Sequence, residues 1–75
     1  MKLSYDPEVD ALYIELVEEK SECRTLRLSD EIALDIEPNE MLLGIEILEV
    51  KQVLGKGEVP TVVLKNLKVA QPEAA

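Results

Sequence analysis

The sequence predicts an α+β domain: an antiparallel β-hairpin meander of about five strands with one short helix packed on the sheet. Three observations predict it. Aliphatic residues alternate with polar ones in successive short stretches. Two polar gaps, each led by proline, have hairpin-loop length. After Ile47 the apolar period changes once, from strand to helix.

Met1, Leu3 and Tyr5 share one parity, and Leu12, Ile14 and Leu16 share another, with Asp6-Pro7-Glu8-Val9-Asp10 between them. Period-two alternation marks strands with one buried face. Setting Tyr5 opposite Leu12 places Leu3 against Ile14 and Met1 against Leu16. On the other face it sets Lys2 against Glu15, an attractive pair. A slip of one residue loses both features. Pro7 to Asp10 is then a four-residue loop, with Pro7 fixing φ and the Asp6 side chain accepting local N–H groups.

Glu18 to Glu22 reads as a polar connector. Arg24 to Leu28 alternates briefly, Ser29-Asp30-Glu31 is a turn, and Ile32 to Glu37 alternates cleanly. Pairing Ile36 with Leu43 sets Leu34 against Ile45 and Ile32 against Ile47, with Pro38 to Met41 as a second four-residue loop. Gly44 then lies opposite Asp35 and marks a close backbone approach or a bulge. Ile47, Val50, Val53 and Leu54 fall at helical spacing. Gly55 stops a helix of about two turns, too short to stand without packing on the sheet. Val59 to Leu64 has strand propensity, which Pro60 restricts to an edge. The organisation is a single domain over residues 1–69, with a disordered tail at 70–75.

A chain of 75 residues buries roughly 60% of the surface its unfolded form exposes. The core is thin and aliphatic, with no Phe or Trp and only Tyr5 and Tyr13 as aromatics. Together with the apolar stretch Val59 to Leu67, this predicts a homo-oligomer, a dimer or larger. Residues 1–40 hold 12 Asp and Glu against 4 Lys and Arg, whereas residues 41–75 hold 4 of each. An acidic half disfavours direct nucleic-acid binding, which needs clustered cations. It suits solubility or a basic protein partner. The single cysteine, Cys23, cannot form an intrachain disulfide, which fits a reducing, cytoplasmic setting. No apolar run approaches the ~20 residues of a membrane span, so no membrane association is expected.

The chain has no histidine. Cys23 and the serines therefore lack the usual general base, and zinc-ligand spacings are absent. No glycine-rich phosphate loop exists. Asp6-x-Glu8-x-Asp10 resembles the opening of a calcium loop. Ala11 stands where the turn glycine belongs and Val17 where the bidentate glutamate belongs, so a structural turn is the better reading. No cofactor, metal or catalytic residue is assigned. The candidate interaction surface comprises Asp6, Glu8, Asp10, Tyr13, Glu15, Asp35 and Glu37. Tyr5 fits the inner sheet face and Tyr13 the outer, where an aromatic is either an interface anchor or a cross-strand packing residue.

The string Tyr5-Asp6-Pro7-Glu8-x-Asp10-Ala11-Leu12-Tyr13-Ile14, followed by Leu34-Asp35-Ile36 and Gly44-Ile45-Glu46-Ile47-Leu48, resembles a short prokaryotic family, domain of unknown function twenty-two eighty-three. The resemblance spans roughly residues 1–55 and rests on Tyr5, Asp6, Asp10, Leu12, Tyr13, Gly44 and Glu46. It implies a small α+β domain with no established activity. Some members look to be encoded beside small toxin-like proteins, which would make them candidate antitoxins. The family pattern carries a glycine in the turn before Gly-Ile-Glu, where this chain has Asn39-Glu40-Met41.

Three readings stay open. The leading one is a non-enzymatic acidic interaction module, antitoxin-like toward a small basic toxin. The second is an oligomeric small-ligand or metal binder with an intersubunit site, which, like the third reading, a deep intersubunit pocket lined by Asp6, Asp10 or Asp35 would favour. The third is a carboxylate-dependent enzyme.

Overall fold

The computed structural model describes residues 1–18 and 22–70. The alternating stretches form β1 (Lys2–Asp6), β2 (Ala11–Glu15), β3 (Arg24–Arg27), β4 (Ile32–Ile36) and β5 (Leu42–Ile47), followed by α1 (Val50–Val53). All strand pairs are antiparallel, in the order β1-β2-β5-β4-β3. Strands β3, β4 and β5 make a meander, and the β1–β2 hairpin adds to it along β5. The connector from β2 to β3 passes through residues 19–21, and the tail at 71–75 follows the arm; both lie outside the described residues.

The first hairpin has the register that the alternation predicts: Tyr5 faces Leu12, Leu3 faces Ile14 and Lys2 faces Glu15. Its loop is held from within. Glu8 N–H donates to Asp6 Oδ1 at 2.9 Å, and Asp10 turns the chain at φ 55°. An aspartate tolerates that left-handed conformation better than most residues.

The second hairpin departs from expectation at its turn. Leu34 faces Ile45 and Ile32 faces Ile47 as predicted, but Ile36 faces Leu42 rather than Leu43. The reason is a shorter loop. Glu37 N–H donates to Met41 O at 2.9 Å, leaving Pro38, Asn39 and Glu40 as a three-residue connection with Glu40 at φ 66°. Loops of this length pair a turn with one left-handed residue. The one-residue mismatch with the strand body is absorbed at a bulge beside Asp35 and Ile36. The turn in which the family pattern carries glycine thus holds a left-handed glutamate.

The pleat separates the two faces. One carries Leu3, Tyr5, Leu12, Ile14, Ile45, Ile47, Ile32, Leu34 and Leu26 in register rows. The other carries Lys2, Ser4, Tyr13, Glu15, Gly44, Glu46, Ala33, Asp35, Thr25 and Arg27. Among the described residues, only Ala33, Ile36, Leu43, Ile47 and Val50 are buried hydrophobic residues. Ala33 sits on the polar face between its register neighbours Arg27 and Glu46, whose charged groups approach to 4.0 Å and roof it.

Helix α1 is one turn, not the two expected. Val50 anchors it, fully buried, while Val53 and Leu54 stay exposed. The chain bends back at once: Leu54 N–H donates to Val50 O, and Gly57 N–H to Lys51 O at 2.7 Å. Gly55 is required here, because a Cβ would collide with the Glu58 carbonyl. Residues 59–64, expected as an edge strand, form none. Residues 59–70 form an arm, bent at Asn66 (φ 62°), that makes no backbone–backbone hydrogen bond among the described residues.

Candidate functional site

The most organised side-chain arrangement lies on the polar face and spans three strands. Gly44 of β5 sits between Glu15 of β2 and Asp35 of β4. Its missing side chain leaves a channel, and Tyr13 fills it. The Tyr13 ring crosses over Gly44, where any Cβ would strike the hydroxyl, and its O–H donates to Asp35 Oδ2 at 2.8 Å. The second Asp35 oxygen accepts from Thr25 Oγ1 at 2.9 Å. One carboxylate therefore ties β2, β4 and β3 together across the sheet.

Desolvation is the first cause that pushes the Tyr13 hydroxyl up to about 12; the hydrogen bond to Asp35 and the nearby charges of Asp35, Cys23 and Glu15 add to it. A phenol held this way is a neutral donor and no proton acceptor at neutral pH. Glu46 flanks the ring as the β5 register partner of Tyr13. Toward the β1–β2 loop the face dips into a shallow open depression of about 260 Å³, lined by Ser4, Asp6, Ala11, Tyr13 and Glu46 among others.

Asp6 and Asp10 serve the fold. Asp6 closes the loop, as described. Asp10 accepts from the Tyr5 hydroxyl at 2.7 Å and from Lys51 N–H at 3.2 Å, and its carbonyl accepts from Val50 N–H at 3.1 Å. It caps α1 from another element, supplying an acceptor for orphan N–H groups of the first turn. The Asp10 hydrogen bond is also the main reason that the Tyr5 hydroxyl titrates above its usual value.

Of the candidate surface residues, Tyr13, Glu15 and Asp35 therefore share the polar face. Asp6, Glu8 and Asp10 lie in and beside the β1–β2 loop. Glu37 lies in the β4–β5 turn, where its backbone bonds Met41. The structure adds Thr25, Arg27, Ser4 and Glu46 to the face. Strand parity alone could have found them once β2 was placed beside β5, but nothing in the local pattern announces that neighbour. Among the described residues, no group of three or more His, Cys, Asp or Glu is arranged to hold a metal ion. No helix in them is long and apolar enough to cross a membrane.

Residues 2–51 match the family model described as a protein of unknown function, DUF2283. The match takes in all five strands and ends inside α1, before the arm. No curated protein and no solved structure matches the chain.

Proposed function

The chain belongs to the DUF2283 family of proteins of unknown function, and starting there we propose that it is a non-enzymatic interaction module whose polar sheet face receives a basic protein. The observation that carries this reading is Tyr13, locked over Gly44 onto Asp35 and flanked by Glu15 and Glu46. A fixed aromatic loses little rotamer freedom on binding, which is what an interface anchor needs. Around it the face holds Asp6, Glu15, Asp35 and Glu46 against Lys2 and Arg27. That excess of carboxylate attracts and orients a cationic partner. A small basic toxin in the cytoplasm is the finer form of the same reading.

The neutral, hydrogen-bonded Tyr13 is a poor proton acceptor, which weighs against acid–base turnover at this face. The test is capture from native lysate at low and at high salt, using wild type and a Glu15→Lys, Glu46→Lys variant. These carboxylates make no side-chain bond to the Tyr13 cluster. A basic protein recovered by wild type at low salt, and lost with the variant, is the expected result. Identical recovery by both proteins counts against the proposal.

A further inference from the structure

We propose that the apolar sheet face is the docking surface for the 59–69 arm of a second copy of this chain, exchanged reciprocally in a homodimer. This concerns the face opposite the Tyr13 cluster and stands or falls without the reading given above.

The central row of the apolar face is Leu3, Ile14, Ile45, Leu34 and Leu26, one residue from each strand. None of the five is buried, and Leu3 and Leu26 are 44% and 41% exposed. An uninterrupted aliphatic row across a whole sheet is a surface that water disfavours, and patches of this kind mark interfaces.

The same chain carries a segment with the opposite deficit. Val59, Val62, Val63, Leu64, Leu67 and Val69 are all at least half exposed. The backbone that bears them has no internal backbone partner among the described residues. Both surfaces thus keep apolar area exposed to solvent within one molecule. The Gly55–Glu58 turn fixes the direction in which the arm leaves α1.

Reach, charge and area fit a second copy. Eleven residues span at most roughly 36 Å, less for the bend at Asn66, against the ~24 Å width of a five-stranded sheet. The arm and its approach carry Lys56, Lys65 and Lys68 against Glu58 alone, whereas residues 1–40 carry 12 acids and 4 bases. Of these acids, Glu8, Asp30, Glu31, Glu37 and Glu40 lie in the loops at the ends of the sheet rather than on its polar face, and they draw a positive arm. The sheet face alone offers ~400 Å², about half of what each partner gives to an interface of standard size. Reciprocal exchange adds an arm to each side and brings both shares into that range.

The test is the solution mass of the full chain at micromolar concentration, by light scattering. Two variants accompany it: an arm triple, Val62→Ser, Leu64→Ser, Leu67→Ser, and an edge-strand double, Leu3→Ser, Leu26→Ser. The expected result is a dimer for wild type and monomers for both variants, with circular dichroism showing that the arm triple keeps its sheet. A monomeric wild type overturns the proposal. So does an arm triple that remains fully dimeric, because the contact would then be sheet on sheet without the arm.

Discussion

Tyr13 and Asp35, 22 residues apart in sequence, are joined by a 2.8 Å hydrogen bond that passes directly over Gly44. The bond exists because one position of β5 has no side chain. Three residues on three strands therefore behave as a unit, and the unit makes a sharp mutational prediction.

Gly44→Ala puts a methyl group where the Tyr13 hydroxyl lies. The ring must leave Asp35, and overpacking of this kind costs roughly 1–3 kcal/mol. In a Tyr13→Ala background the obstacle is gone, so the same substitution becomes nearly neutral. Urea denaturation of the four proteins of this cycle measures the coupling. Additive effects would contradict the geometry.

Alkaline pH gives a second test. The Tyr13 hydroxyl is raised in the folded chain to about 12 from its ordinary value of 10.0. A group whose folded value is raised stabilises the fold fully below the unfolded value. Its contribution is lost as pH rises through the folded value. Stability linked to Tyr13 should therefore hold up to about pH 10 and decline toward about pH 12. Phenolate absorbance should show a tyrosine ionising near the top of that window, and Tyr13→Phe should remove that step. A wild-type protein whose two tyrosines both ionise at the ordinary value would refute it.

Asp10 supplies a third. Asp10→Ala removes the acceptor for Tyr5 O–H and for Lys51 N–H, at a cost of about 1–3 kcal/mol. Asp10→Asn keeps a side-chain acceptor and a left-handed-tolerant residue, so it should retain most of the stability. Amide exchange at Val50 to Leu54 should quicken in the alanine variant well before exchange in β2 and β5. Uniform loss of protection would mean that Asp10 does not act through α1.

The left-handed Glu49 gives a fourth. It precedes α1 at φ 50° and forms no capping bond through its side chain. A non-glycine residue in this conformation costs roughly 1–2 kcal/mol, part of which Glu49→Gly returns. Its expected gain is about 0.5–1 kcal/mol, the rest being lost to the greater freedom of glycine in the unfolded chain. Thermal unfolding measures it, and a lower midpoint than wild type would contradict the strain argument.

The register of the first hairpin was legible because Lys2, Glu15 and the aliphatic parity all demand one pairing. The helix after Ile47 was legible in kind but not in length. Val53 and Leu54 have helical spacing, yet the turn at Gly55 to Glu58 takes them out of the core. The β4–β5 bulge was legible at the Gly44–Asp35 pair as one of two alternatives, but the shorter loop behind it escaped because it depends on Glu40 adopting a conformation that glutamate disfavours. Gly44 was legible as a close approach, but what approaches it was not. Tyr13 reaches it only because β2 lies beside β5, a neighbour relation between strands far apart in sequence. Asp35, placed on the candidate interaction surface, is engaged by two hydroxyl groups, that of Tyr13 for the same reason and that of Thr25 as its register partner in β3.

The engagement of Asp35 also decides which charges can probe recognition. Reversing Asp35 would break the Tyr13 cluster, whereas Glu15 and Glu46 stand on the same face outside it. The most direct measurement is therefore the association rate of the captured basic partner with wild type and with the Glu15→Lys, Glu46→Lys variant, across a salt series. The polar-face account predicts slower association for the variant at low salt, little change in dissociation, and rates that converge as salt screens the charges. Equal association rates at every salt concentration would contradict it.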